Sequence, residues 1–365
     1  MQLAAAQLQA HLQKGLRSLY TLHGDEPLLI QEAADAIRVT ARAQGYTERS
    51  SHTVSGAHFD WSEVQAAGGS LSLFADKQIL EVRIPSGKPG KDGSTAIQQL
   101  AQAAQGNDST LTIFILPRLD KLAKTAAWFG ALESFGMTLQ VEPVERNALP
   151  QWIAQRLQLQ GQRVTAGESG QRSLQFFADR VEGNLLAAHQ EIQKLALLYP
   201  AGELTFEQLE AAVFNVARYD VFKLSEAVLG GHTVRVQRML DGLKAEGEAE
   251  VLVHWALSED IRALKRVKDA MGRGSPLPMA LREQRVWGAK ERLFERVLPR
   301  LSDNSVSELL LAAHQVDGIV KGLKQADWPA NGWQALHRLA MQLCEACAVQ
   351  SGAVRKSAGT LSTAI

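Results

Sequence analysis

The chain has 365 residues, 45% of them hydrophobic and 21% charged, which is typical of a globular protein with two or three domains. Basic and acidic residues number 39 each, so no overall charge draws the chain to nucleic acid or to an anionic membrane. No apolar run reaches the roughly 20 residues that span a bilayer. Polar residues also interrupt residues 1–15, where a signal peptide needs an apolar segment. We therefore expect a cytoplasmic protein without membrane contact, which begins with a helix.

Strand and helix patterns alternate over about the first 140 residues. The predicted strands are Arg17–Leu22, Gln78–Ile84, Leu111–Leu116 and Met137–Val141, and the predicted helices are Leu28–Gln44, Trp61–Ala67, Thr95–Gln105 and Lys121–Phe135. The Gln78–Ile84 segment alternates apolar and polar residues, as a half-buried strand does. The Leu111–Leu116 run is almost wholly apolar, which is typical of the middle of a parallel sheet. This order predicts an α/β layer fold with a parallel sheet.

Strand patterns stop at about Asn147, and the rest of the chain has helical periodicity. Asn147 is a candidate helix cap with Pro150 in the first turn, and capping-box spacings occur at Thr205–Gln208 and Ser305–Glu308. The predicted units are an α/β domain at 1–143, a small helical domain at 144–215, an all-helical domain at 216–348 and a disordered tail at 349–365.

The turn after the first predicted strand is the position at which an ATP site would lie. A nucleotide-binding α/β domain places there a glycine-rich loop that surrounds the phosphates, with a lysine and a Ser/Thr that contact phosphate and Mg²⁺. This chain has Gly24, Asp25, Glu26 and Pro27 at that point. Two carboxylates would repel a triphosphate, and proline lacks an N–H donor. The turn is therefore predicted to be a degenerate nucleotide loop.

Two other segments invite a phosphate or metal interpretation. The stretch Ser86–Ser94 is rich in glycine and lysine, but its spacing does not match a phosphate loop, so a surface loop is predicted. Asp120 follows the apolar strand, where a metal-binding acid would lie, and a helix cap is the favoured alternative.

Two patterns in the helical part leave alternatives open. Four basic residues on one predicted helix form either a solvated face or a local contact for phosphate: Arg262, Lys265, Arg266 and Lys268. Cys344 and Cys347 have the CxxC spacing of redox and zinc sites, but without a second Cys/His pair they favour two buried helix residues.

The segment from Gly68 to Pro85 contains the adjacent residues Leu73 and Phe74. A strand would send neighbouring side chains to opposite faces. On a turn after Gly69, both could point outwards. The pair is therefore either part of the core at an element end or an exposed hydrophobic anchor for a partner.

Four motifs in this order resemble the delta subunit family of bacterial DNA polymerase III, which belongs to clamp loaders, and the resemblance covers about residues 15–345. The motifs are GDEPLL at Gly24–Leu29, SLFADKQ at Ser72–Gln78, EGNLLAAHQEIQKL at Glu182–Leu195 and YDVFKLSEAVLGG at Tyr219–Gly231. The resemblance implies an AAA+-like N-terminal domain, a lid domain and a C-terminal collar domain. Leu186 stands where ATP-hydrolysing relatives carry a phosphate-sensing arginine.

The resemblance also implies a function. Leu71, Ser72, Leu73 and Phe74 match the family's hydrophobic element that binds the sliding clamp, the beta subunit. The implied role is to open the ring for loading onto primed DNA, without catalytic residues, cofactor or metal in this chain. The implied partners are the gamma/tau and delta-prime subunits, in a hetero-pentamer within the polymerase holoenzyme. The alternative is a divergent AAA+ ATPase that acts on nucleic acid or protein.

Overall fold

The computed structural model describes residues 2–56, 59–69, 77–213 and 217–348. These residues form two compact units. The first unit comprises the described residues of 1–180 and 185–214, and the second comprises those of 181–184 and 215–348. The predicted clamp-binding residues Leu71 to Phe74 and the predicted tail 349–365 lie outside the described residues.

The first unit contains eight strands and ten helices among its described residues. The strands are β1 Gln2–Ala4, β2 Leu19–Gly24, β3 Glu48–Thr53, β4 Gln78–Arg83, β5 Thr110–Pro117, β6 Met137–Val141, β7 Gln162–Val164 and β8 Gly202–Leu204. The helices are α1 Leu8–Lys14, α2 Pro27–Ala43, α3 Trp61–Gly69, α4 Gly90–Ala103, α5 Lys121–Lys124, α6 Ala127–Phe135, α7 Leu149–Leu159, α8 Glu168–Val181, α9 Leu185–Leu198 and α10 Phe206–Ala212. A 3-10 helix, Ala5–Gln7, precedes α1.

Six strands form one parallel sheet in the order β1-β6-β2-β5-β4-β3. The apolar strand β5 lies between β2 and β4, as its composition predicts. Helices α1 and α2 cover one face around Tyr20 and Ile113, and α3, α4 and α6 cover the other around Leu80 and Phe114. Apolar side chains on both faces of the central strands therefore become buried, which is the physical basis of a parallel sheet. The predicted α/β fold with a parallel sheet is confirmed.

Two strands of the large sheet lie where the sequence does not predict them. Strand β1 lies in the predicted N-terminal helix, and β3 lies between the predicted helices Leu28–Gln44 and Trp61–Ala67, where no strand is predicted. Strand β3 is at the sheet edge and alternates half-buried and exposed residues, so it carries no apolar signal.

Two helical segments also differ from prediction. Helix α4 begins at Gly90, so the predicted surface loop Ser86–Ser94 is helical in its second half. Gly93 is needed there, because a Cβ would lie 2.6 Å from the indole of Trp61. The predicted helix Lys121–Phe135 is interrupted between α5 and α6.

The end of the first unit is helical apart from β7 and β8, which pair in parallel. The prediction that strands stop at Asn147 is wrong, because strands of three residues are too short to show a period. The N-cap position of α7 is Ala148, which forms no side-chain capping hydrogen bond, so the predicted cap at Asn147 is wrong, although Pro150 lies in the first turn as predicted. The capping box at Thr205 and Gln208 is confirmed by reciprocal hydrogen bonds of 3.3 and 2.9 Å.

The second unit is helical in its described part and has one hydrophobic core. Its helices are α11 Val221–Leu229, α12 Thr233–Ala245, α13 Glu250–Gly272, α14 Leu277–Glu283, α15 Ala289–Val297, α16 Asp303–Val320 and α17 Gly332–Cys347. The cap of helix α16 is Ser302, three residues before the predicted cap Ser305, and the backbone N–H of Ser305 donates to the Ser302 hydroxyl at 3.0 Å. The predicted capping box at Ser305–Glu308 is therefore wrong. In the described ranges of the whole chain, no helix is both long and apolar enough to cross a membrane.

Candidate functional site

The carboxyl edge of the large sheet is the place where a nucleotide would bind in a related fold. Gly24 is the last residue of β2 and pairs in register with Val141 of β6. A Cβ at Gly24 would lie 1.9 Å from the carbonyl oxygen of Val141. The glycine is thus required by the close approach of two strands, which accounts for it without a phosphate.

The predicted degenerate loop contributes one residue to an ion pair at this edge. Asp25 accepts a hydrogen bond from Arg118, which follows β5, at 3.1 Å. Burial raises the pKa of Glu26 above its ordinary value. Pro27 is the first residue of α2 and provides no N–H to an anion. The edge therefore presents carboxylates, one of them paired with arginine, where phosphate oxygens would need N–H donors.

Asp120 caps α5, because its carboxylate accepts a hydrogen bond of 2.7 Å from the backbone N–H of Ala123. The prediction of a helix cap at this position is confirmed. Among the residues that the structure describes, no group of three or more His, Cys, Asp or Glu side chains could hold a metal ion.

His23 is a buried residue of this edge that no sequence motif indicates. Its ring packs edge-on against Phe129, with ring centroids 5.5 Å apart. Burial, with the positive charge of Lys124, lowers the pKa of His23 to about 4. The imidazole is therefore neutral near pH 7 and belongs to the packing beneath the edge.

From this edge we predict that the purified chain does not bind nucleotide. The physical reason is the lack of a phosphate cradle at Gly24–Pro27, where Asp25 is held by Arg118. Calorimetric titration with Mg-ATP should give no saturable heat, and a P-loop ATPase under the same conditions serves as the positive control. Saturable binding that disappears in an Arg118→Ala variant would support the ATPase alternative instead.

The predicted sensor position lies on α9. Leu186 is in the first turn of that helix and is 50% exposed. Helix α9 contacts α2, the helix that follows the degenerate loop. A leucine has no charge for a phosphate, so this position adds no anion-binding group near the loop.

The described elements on the two sides of the predicted clamp-binding segment are joined by a hydrogen bond. Helix α3 ends at Gly69 and β4 begins at Gln78. The side-chain amide of Gln78 donates a hydrogen bond of 2.7 Å to the carbonyl oxygen of Ala67. The segment that contains Leu71 to Phe74 thus connects two elements that are joined to each other.

A buried charge cluster lies on the face of β4 that α2 covers, and no sequence pattern predicts it. Glu81 is fully buried and accepts hydrogen bonds from Arg38 at 2.5 and 3.1 Å and from Arg49 at 2.7 and 3.0 Å. Burial alone would raise the pKa of Glu81, but the two guanidinium groups outweigh it and lower the pKa below its ordinary value. The prediction of a half-buried strand is wrong here, since α2 covers this face.

Each cation of the basic stretch on α13 faces a carboxylate. Arg262 and Arg266 contact Glu259 at 3.5 and 2.6 Å, Lys265 contacts Asp269, and Lys268 lies 3.9 Å from Asp303. The local charge is therefore largely balanced, which favours the solvated-face interpretation over a phosphate contact.

Cys344 and Cys347 are buried free cysteines on α17. Burial raises the pKa of Cys344 to about 11 and that of Cys347 to about 12. Both thiols are thus protonated near pH 7, and the prediction of two buried helix cysteines is confirmed.

Comparison with known proteins identifies the family. The chain is 31% identical over 340 residues to the DNA polymerase III subunit delta of Escherichia coli strain K12, which covers 93% of this chain and 95% of that protein. The chain belongs to the DNA polymerase III delta subunit family. The sequence profile of this family, described as "DNA polymerase III, delta subunit", matches residues 20–142.

Two further delta subunits are similar to this chain. The Haemophilus influenzae subunit is 26% identical over 356 residues and covers 93% of this chain and 98% of its own length. A solved structure of a DNA clamp loader delta protein from Bacillus subtilis has a TM-score of 0.49 and 16% identity, and covers 93% of this chain and 99% of that chain. The family resemblance read from the four motifs is confirmed.

Proposed function

We propose that this chain binds the sliding clamp through Leu71, Ser72, Leu73 and Phe74 and opens the ring for loading onto primed DNA. The observation that supports this most is the family's SLF sequence at 72–74. The chain that carries it matches 95% of the length of the E. coli delta subunit. A compact pair of large apolar side chains that fills a pocket is the usual form of a binding hot spot.

The pair would open the ring by binding one of its states better than the other. A ligand shifts a conformational equilibrium only by its difference in affinity for the two states. We therefore propose that Leu73 and Phe74 contact the clamp near a subunit interface and bind more tightly when that interface is open. A preference of about 100-fold would supply about 2.7 kcal/mol towards opening.

The energy of ATP would enter through partner subunits rather than through this chain. The paired Asp25 and Arg118 and the proline at the start of α2 support a role without ATP hydrolysis. The gamma/tau and delta-prime subunits would bind ATP and expose or hide the clamp-binding segment. The helical domain 216–348 would join these partners in the collar of a hetero-pentamer, and the lid at 144–215 would connect it to the first domain.

The proposal predicts that the chain binds an open clamp interface more tightly than a closed one. The measurement compares the affinity of the full chain for a closed sliding clamp with its affinity for a clamp variant whose subunit interface is disrupted. Tighter binding to the disrupted clamp is expected, because no free energy is spent on separating the interface. Equal affinities would mean that binding does not drive opening.

A further inference from the structure

We propose that Glu32 and Arg156 form a latch that sets the orientation of the helical part of the first unit, residues 149–212, relative to the large sheet. Glu32 lies on α2, which packs on the sheet, and Arg156 lies on α7. Arg156 donates two hydrogen bonds to the carboxylate of Glu32, with Nη1 2.5 Å from Oε1 and Nη2 2.6 Å from Oε2. The latch is independent of the proposed clamp binding.

The covalent connection between the two parts does not fix their orientation. The chain passes from the sheet to the helical part through one segment, residues 142–148, between β6 and α7. None of these seven residues is buried. Arg146 of this segment pairs with Asp179 of α8 at 2.6 Å, so the end of the connection is attached to the helical part. The orientation therefore depends on noncovalent contacts between the two parts.

The helical part is held together by hydrogen bonds of its own. The side-chain amide of Gln160 donates to the carbonyl oxygen of Ile192 on α9 at 2.8 Å. The side-chain amide of Gln162 on β7 donates to the carbonyl oxygen of Leu195 on α9 at 3.1 Å. Helix α9 also contacts α2. Because α7, β7 and α9 form one packed group, a contact that fixes α7 against α2 also fixes α9.

The surroundings of the pair favour one geometry. The side chains of Arg156 and Glu32 are only 21% and 33% exposed. The guanidinium carbon lies 4.7 Å from the ring centroid of Trp152, which is one turn earlier on α7. A two-point contact between charged groups is stronger than a neutral hydrogen bond, and the planar guanidinium must lie in the plane of the carboxylate. The latch therefore restrains an angle as well as a distance.

The position of the latch relates it to the carboxyl edge of the sheet. Helix α2 begins at Pro27, directly after the degenerate loop. The helical part is thus joined to the helix that starts where a nucleotide would bind in a related fold. Since both partners of the latch belong to this chain, we expect the same orientation with and without nucleotide.

The test measures one distance across the latch in the full chain. Spin labels are attached to Leu122→Cys on α5 and Leu197→Cys on α9, since these leucines are 81% and 87% exposed. The native Cys344 and Cys347 are buried and have raised pKa values, so they react slowly with the label. Double electron–electron resonance should give one narrow distance distribution when Glu32 and Arg156 are intact.

Glu32→Gln and Arg156→Gln each remove one charge of the latch. Loss of a charged hydrogen bond should lower the ratio of latched to unlatched molecules about 10- to 100-fold, so distances outside the original peak become populated. The double variant should be no broader than the single ones, because the two side chains act as a pair. The exchanged variant, Glu32→Arg with Arg156→Glu, should narrow the distribution again.

The matched control is an ion pair of the same unit that does not reach the helical part. Asp25→Asn breaks the contact of Asp25 with Arg118 at the sheet edge and should leave the distance distribution unchanged. If Arg156→Gln does not fold, Glu32→Gln and the exchanged variant decide the result, since Glu32→Gln keeps the size of the side chain.

A distribution that stays narrow in the single variants would overturn the latch. Narrowing of the Glu32→Gln distribution by Mg-ATP would also overturn it, because a nucleotide and not the pair would then set the orientation. Broadening in the single variants, its reversal in the exchanged variant and an unchanged Asp25→Asn control would establish it. None of these measurements uses the clamp, so a failure of the latch and a failure of the proposed clamp binding are separate results.

Discussion

Replacement of both Leu73 and Phe74 by alanine is expected to abolish binding of this delta subunit to a sliding clamp. Each single replacement should cost about 2–4 kcal/mol, or roughly 30- to 1000-fold in affinity, as for the anchor of a hot spot. The reason is that large apolar side chains contribute most of the free energy when they fill a pocket and displace water. Affinities can be measured with a surface-immobilised clamp and the full chain.

The control for this prediction is another exposed leucine of the first unit. Leu122 on α5 is 81% exposed, so Leu122→Ala removes a comparable side chain without touching the predicted segment. It should bind the clamp like the wild type, and the double variant should still assemble with partner subunits. Full clamp binding by the double variant would refute the assignment of Leu71 to Phe74.

The second large effect is expected in stability rather than in binding. Glu81→Ala should destabilise the first unit by about 3–5 kcal/mol, which is the usual cost of removing one partner from a buried ion pair. The side chain of Arg38 is only 6% exposed and would lose two hydrogen bonds, and Arg49 would also lose two. Hydrogen exchange of β3, β4 and β5 in increasing urea measures the effect within this unit alone.

An exposed ion pair of the same unit provides the comparison. The side chains of Asp25 and Arg118 are 42% and 71% exposed. Asp25→Asn breaks their ion pair and should lower the free energy of unfolding by no more than about 1 kcal/mol. If Glu81→Ala is no more destabilising than Asp25→Asn, the buried cluster does not stabilise the sheet.

The same cluster predicts a dependence on pH. The pKa of Glu81 is lowered in the folded chain from its ordinary value of 4.5, because Arg38 and Arg49 outweigh the effect of burial. A lowered pKa means that the unfolded chain takes up the proton first as the pH falls. The stabilisation by Glu81 is therefore complete above about pH 4.5 and is lost as the pH falls through the folded pKa, so the difference between wild type and Glu81→Gln should shrink in acid.

The central strands could be predicted because their neighbours dictate their composition. Strands β2, β4 and β5 are covered by helices on both faces, and β6 packs its apolar residues on one face, so all four carry apolar residues that are recognisable in the sequence. Strand β3 lies at the edge and has polar residues, and β1 has three residues, so neither offers a period. The caps Asp120 and Thr205 were predicted correctly, because a capping side chain accepts from an N–H three positions away, whereas the cap positions of α7 and α16 were not.

The candidate site was predictable only in part. The sequence by itself determined the family through four ordered motifs, and it determined that Gly24–Pro27 lacks the groups for a phosphate, because those groups are set by residue type and spacing. It also named Leu71 to Phe74 as the clamp-binding residues, which stays a prediction because they lie outside the described residues.

Only the tertiary structure decided which distant residues meet. Arg38 and Arg49 donate hydrogen bonds to Glu81, and Arg118 donates one to Asp25. The side-chain amide of Gln78 donates one to the end of α3. The physical reason is that a hydrogen bond between residues far apart in sequence leaves no periodic trace in the chain. The alternating pattern of β4 predicts that Glu81 is a surface residue. In the structure, α2 covers Glu81 and two arginines balance its charge.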